Sequence, residues 1–151
     1  MEPMTRFAPL ALCSALLWPA AGFEPAPSAP LGPLAVLEEP TEIEILDLTG
    51  IDWRPGQPLP ARVQALDGRR VLIRGYMHQS VTDNVNLFPM VSDACQCVGV
   101  LLPHHFIEVN LGPRTTGPIP GCFEVVGTLS VGELEVDGFI HSVYRLKGRI
   151  F

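Results

Sequence analysis

The chain is short of aromatic residues, of clustered positive charge and of long apolar runs, and each shortage removes a class of function. Seven Phe, two Trp and two Tyr in 151 residues are too few and too dispersed for the stacking platform of a single-strand binder. Ten bases stand against sixteen acids, a net charge of −6. The bases are scattered, apart from Arg69, Arg70 and Arg74 and the alternating Arg145, Lys147 and Arg149. Neutralising a phosphate backbone takes clustered Lys and Arg, so no nucleic-acid partner is expected. Past residue 22 no stretch approaches the roughly 20 apolar residues of a membrane-spanning helix. There is also no Gly-rich phosphate loop, no G-x-S-x-G elbow and no H-E-x-x-H. Ser80, Ser92, Ser130 and Ser142 have no base and orienter at readable spacing. A nucleophile made of Cys97 and His105 is an unspecific pattern. These absences put a non-enzymatic role ahead of an enzymatic one.

The N-terminus reads as a secretory signal over residues 1–22. Arg6 supplies a basic start, Phe7 to Trp18 an apolar run, and Ala20-Ala21-Gly22 a small-residue cleavage site before Phe23. Pro3, Pro9 and Pro19 argue against a buried helix there. Leu10-Ala11-Leu12-Cys13 resembles a lipobox, but Leu12 stands where a small residue is required, which disfavours lipid anchoring at Cys13. The expected location is therefore periplasmic. Residues 23–40 carry Pro25, Pro27, Pro30, Pro33 and Pro40 among Ala, Ser and Gly, which makes an extended tether. One domain is expected over residues 41–151. Its first part sets Glu42, Glu44, Asp47 and Asp52 among Ile43, Ile45, Leu46, Leu48 and Ile51. The apolar residues form a strip that packs on the domain with Trp53 as anchor. The acids read as a solvated face in preference to a docking surface for a basic partner.

From Asp67 onward the period is that of strands. Val71, Ile73, Gly75 and Met77 alternate with Leu72, Arg74, Tyr76 and His78. Further strands are expected over Asn86 to Val91, Phe106 to Leu111, Phe123 to Val131 and Ser142 to Ile150, with turns at Asp67-Gly68 and at Val136-Asp137-Gly138. Gly127 marks a bend within the fourth. Tyr76 and Tyr144 read as core-edge residues. Five strands without a long helix predict a mostly β, small five-stranded OB-like barrel, elaborated between its third and fourth strands. A two-sheet sandwich is the alternative, although it usually takes about seven strands.

The densest chemistry lies between Asp93 and Cys122, where Cys95, Cys97, His104, His105 and Cys122 fall close together. With Cys13 removed, three cysteines remain. A disulfide from Cys122 to Cys95 or Cys97 is the first reading. It closes a loop of about 25 residues, worth roughly 3 kcal/mol in the chain-entropy model, and leaves one spare thiol. The second reading is a soft-metal site for Zn or Cu built from Cys95, Cys97, Cys122 and one of His104 or His105. Pro103 is expected to hold the two histidines extended, with their rings on opposite sides. His78 and Asp93 are candidate outer members. A thiol redox role is the third reading, weakened because no helix follows Cys97 to lower a thiol pKa.

Leu66-Asp67-Gly68-Arg69-Arg70-Val71-Leu72-Ile73-Arg74-Gly75-Tyr76-Met77 resembles the DUF3299 group of exported bacterial proteins of unknown function. Leu87-Phe88-Pro89-Met90-Val91, Ala94-Cys95-Gln96-Cys97, Ile107-Glu108-Val109 and Val125-Val126-Gly127-Thr128-Leu129 resemble the later elements, so the likeness runs from Trp53 to Leu146. The chain departs from the group after the cysteines, where proline-rich runs reduce to Pro103. The resemblance implies an exported small β-domain that accompanies ABC-type export systems, hence an accessory module binding an envelope protein such as a transporter. It implies no catalytic chemistry.

Overall fold

A computed structural model describes residues 39–95 and 100–151. The expected signal, Cys13, Cys97 and nearly all of the tether lie outside the described residues. In chain order the elements are β1 (Thr41–Glu44), α1 (Ile45–Thr49), α2 (Ala61–Gln64), β2 (Arg70–Met77), β3 (Leu87–Val91), β4 (Ile107–Asn110), β5 (Cys122–Val136) and β6 (Phe139–Ile150). Both helices are a single turn. The fold is mostly β, as the strand periodicity requires.

The strands form one mixed sheet in the order β1-β2-β3-β4-β6-β5, and β2 also pairs with β5. Five strands, β2-β3-β4-β6-β5, thus close into a ring, with β1 added parallel to β2 outside it. Within the ring β4 runs parallel to β6 and every other pair is antiparallel. Alternation decides what fills the interior. Val71, Ile73 and Met77 of β2, Phe88 and Met90 of β3, Ile107 and Val109 of β4, Val125 and Leu129 of β5, and Tyr144 and Leu146 of β6 are buried together. Gly75 occupies the one inward position of β2 where a Cβ would lie 2.8 Å from Met90 Cγ and 2.9 Å from the Val91 carbonyl.

The N-terminal strip packs as its pattern suggests: Ile43, Ile45, Leu48 and Trp53 join the core. The acids beside them are not all free. Arg74 donates to Glu42 at 2.6 Å and to Glu124 at 2.7 Å, tying β1 to β2 and β5 on an exposed surface. Leu48 receives a tether from the far side of the ring, since the Tyr144 hydroxyl donates to its carbonyl at 2.8 Å. Tyr144 is fully buried and belongs to the core, not to its edge.

Two boundaries differ from expectation. The β5–β6 hairpin runs on past Val131 to a two-residue turn, Asp137-Gly138, with φ of 53° and 81°, the left-handed pair that a tight antiparallel turn needs. The longer elaboration lies between β3 and β4 (residues 92–106), and not between β4 and β5 (residues 111–121). Among the described residues no helix is long and apolar enough to cross a membrane.

Candidate functional site

The end of β2, the end of β3 and the β3–β4 connection meet at one cleft. Met77 pairs with Met90, and His78 N–H donates to the Pro89 carbonyl at 3.0 Å, so the chain leaves β2 beside β3. The His78 ring is fixed by its Nδ1, 2.9 Å from Ser80 Oγ. On the neighbouring strand Val91 leads into Ser92 and Asp93. Asp93 Oδ1 accepts the Cys95 N–H at 2.5 Å, an Asx-type turn that starts the connection. The connection returns through Leu101, Leu102, Pro103, His104 and His105. The cleft of about 220 Å³ is lined by Leu46, Thr49, His78, Val91, Ser92, Asp93, Leu101 and His105. Apolar walls with a few convergent polar groups are the usual make-up of a binding site.

The two histidines are not splayed. His105 N–H donates to the Leu102 carbonyl at 2.9 Å, closing a turn with Pro103 at the second position, where its fixed φ belongs. The turn replaces the expected extended segment and brings the rings together, 4.2 Å between centroids and edge to face. His104 is buried against Trp53 at 5.4 Å, and its Nδ1 finds no hydrogen-bond partner among the described residues. Burial, first, and the neighbouring His105, second, hold the His104 pKa below its usual range, opposed by Asp52. The Val143 N–H pins the turn to β6 through the Pro103 carbonyl at 3.1 Å. His104 therefore supports Trp53, while His105 reaches the cleft on one side and a second hollow with Asp52, Trp53 and Arg54 on the other.

The cysteines do not assemble as expected. Cys122, the first residue of β5 and the partner of Tyr76 in the ladder, is an exposed free thiol. It bridges neither Cys95 nor Cys97, because β2 holds it in register at the sheet surface. Cys95 is disulfide-bonded. Among the described residues no three His, Cys, Asp or Glu side chains lie close enough to hold a metal ion. His78, Asp93 and His105 line one cleft without forming such a set. Of the sequence candidates, then, His78, Asp93 and His105 come together; His104 is packed behind them and Cys122 stands apart. Leu46, Thr49 and Leu101 were not legible as site residues, since each reads as an ordinary core position.

Some of the exposed apolar side chains belong to α1 and the β3–β4 connection, while Val136 and Phe139 lie on the β5–β6 hairpin and Phe151 follows β6. Leu46 is 63% exposed, Val100 70% and Leu102 42%. Leu46 belongs to the cleft itself, and Leu102 to the adjoining hollow.

No protein-family profile and no curated protein sequence matches the chain. Among solved structures it is similar to a DUF3299 family protein from Pseudomonas aeruginosa PAO1, at 19% identity, with a TM-score of 0.50 over 74% of this chain and 94% of the other. That likeness concerns the fold and agrees with the resemblance carried by Leu66 to Met77. In fold, the chain is DUF3299-like.

Proposed function

We propose that the chain is an exported, non-enzymatic accessory module that binds a protein partner in the cell envelope, through the cleft between α1 and the β3–β4 connection. The observation that carries this reading is the cleft's composition. His78, Ser92, Asp93 and His105 converge beneath exposed Leu46, beside exposed Leu102. Exposed apolar side chains with polar groups beside them are the material of a protein interface, whose buried part is apolar and whose margin is polar. The ring order, with β4 parallel to β6, supports an OB-type barrel as its scaffold. The signal over residues 1–22 and the tether over residues 23–40 supply the route and the reach. The DUF3299 resemblance supports a transport complex, such as an ABC-type transporter, as the partner.

A Zn or Cu centre of Cys95, Cys97, Cys122 and a histidine is a weaker reading, because Cys122 is held apart in β5 and Cys95 is committed to a disulfide. The test is site-specific photocrosslinking in cells. A probe replacing Leu46 or Leu102 is expected to form one defined adduct, whereas a probe at exposed Glu135, outside the cleft, forms none. Equal adducts at all three positions, or none at any, would rule the cleft out as the docking surface.

A further inference from the structure

The strand pairings and turns at the opposite end of β2 build a second site that shares no residue with the histidine cleft. Arg70, the first residue of β2, pairs with Thr128 of β5, and Thr128 pairs with Lys147 of β6. The three side chains stand in one row across three strands, each about 4.8 Å from the next. Arg149 follows two residues after Lys147 and so projects from the same face of β6. Arg114 arrives from the β4–β5 connection. The opening exists because β4 leaves β6 after the Asn110–Lys147 pair, turning away at Gly112 (φ 65°), while β5 stays paired with β6 as far as Ile150.

The result is an open groove of about 450 Å³ lined by Arg70, Arg114, Lys147 and Arg149. Its floor is the close Gly127–Gly148 crossing. No Asp or Glu is among the lining residues. Four of the ten bases of an acidic chain thus share one hollow without a counter-charge in it. Two details point to a ligand. Arg70 Nε is buried in the side of the groove with no acceptor among the described residues, and a buried unpaired donor costs free energy until something accepts from it. The Arg149 guanidinium is held 4.5 Å over the Phe151 ring, which restrains it and leaves its N–H edge for an oxyanion.

We propose that this groove binds a phosphate-bearing ligand, either a free phosphate compound or the phosphate of a lipid headgroup. Three guanidiniums and an ammonium around an open floor suit tetrahedral oxyanions, which accept paired N–H bonds from Arg. The hollow is too short, and the remaining bases too scattered, to track a polymer backbone.

The test uses the full mature chain with two probes: pyrophosphate by calorimetric titration, and vesicles of phosphatidylglycerol by flotation, with phosphatidylcholine vesicles as reference. Lys147→Gln and Arg149→Gln change exposed side chains, so they keep the test open if Arg70→Gln fails to fold. Arg54→Gln, outside the groove, is the control. Binding of at least one probe is expected, weakening as salt rises. It should fall by about tenfold or more in K147Q and R149Q, the loss of one charge-assisted hydrogen bond, and stay unchanged in R54Q. Pyrophosphate binding without vesicle binding assigns a free phosphate compound; selective binding to phosphatidylglycerol vesicles assigns a headgroup. Binding of neither probe, or binding that survives both substitutions, overturns the proposal.

Discussion

Tyr144 carries its hydroxyl through the interior to the Leu48 carbonyl, so one side chain fastens α1 to the ring. Tyr144→Phe would leave that carbonyl unpaired in the core, and a loss of about 1–2 kcal/mol in urea unfolding is expected. Burial raises the phenol's pKa from 10.0 to about 12. The folded state keeps the proton that the unfolded chain releases from pH 10. The phenol's contribution is therefore complete below pH 10 and fades as pH rises towards 12, and Y144F should flatten that alkaline limb. His104 works in the opposite sense. Its pKa is lowered, chiefly by burial, so the unfolded chain takes up a proton that the folded one resists. Its contribution is present above the ordinary value of 6.5 and is lost as pH falls below it. His104→Phe keeps a ring on Trp53 and should reduce the acid sensitivity of the melting temperature. The thiols separate just as sharply. Iodoacetamide should label Cys122 in the native protein and leave Cys95 unlabelled until reductant is added. Protection of Cys122 with ready labelling of Cys95 would reverse the assignment.

At the level of elements, β5 and β6 depend on a glycine pair. Gly127 and Gly148 face each other, and a Cβ on either would run into the backbone of the opposite strand. Gly148→Ala should therefore cost about 1–3 kcal/mol, in the range of overpacking, and lower the thermal midpoint. The alternation that places the ring strands was legible because each has one buried face: Val71, Ile73 and Met77 can point nowhere else. Where no face is buried, alternation does not by itself mark an element of the core. The outer arm of the hairpin, Gly132 to Phe139, does alternate over Glu133-Leu134-Glu135-Val136, but Leu134 is only half-buried and Val136 and Phe139 are exposed, so only its Asp137-Gly138 turn was read from the sequence. β1 was missed for a related reason. It is four residues long with Ile43 alone buried, too short to show a period. Pro103 misled in another way, since a fixed φ suits both an extended segment and the second position of a turn, and only the Leu102–His105 hydrogen bond selects the turn.

Across the whole molecule, the ring sets two candidate sites at the two ends of β2, His78 closing one end and Arg70 opening the other. The groove was not visible as a site in the sequence, and of the cleft only His78, Asp93 and His105 were. The cysteine and histidine cluster drew attention to the right loop for a reason the structure does not support, because proximity along the chain does not bring Cys122 to Cys95. The cleft's polar groups come from four separate segments, and the groove's bases from β2 and β6, set side by side through their shared pairing with β5, together with one loop. Such groupings are made by strand pairing, which sequence spacing does not record. The central claim is that the cleft end binds a protein partner in the envelope. The most direct measurement is saturation binding of the labelled mature chain to an envelope fraction, compared with Leu46→Asp and Leu102→Asp, each shown by circular dichroism to be folded. The account predicts saturable, protease-sensitive binding that drops by about tenfold or more in both variants, as burying an unpaired charge at an interface centre requires. Saturable binding with equal affinity in all three proteins would contradict it.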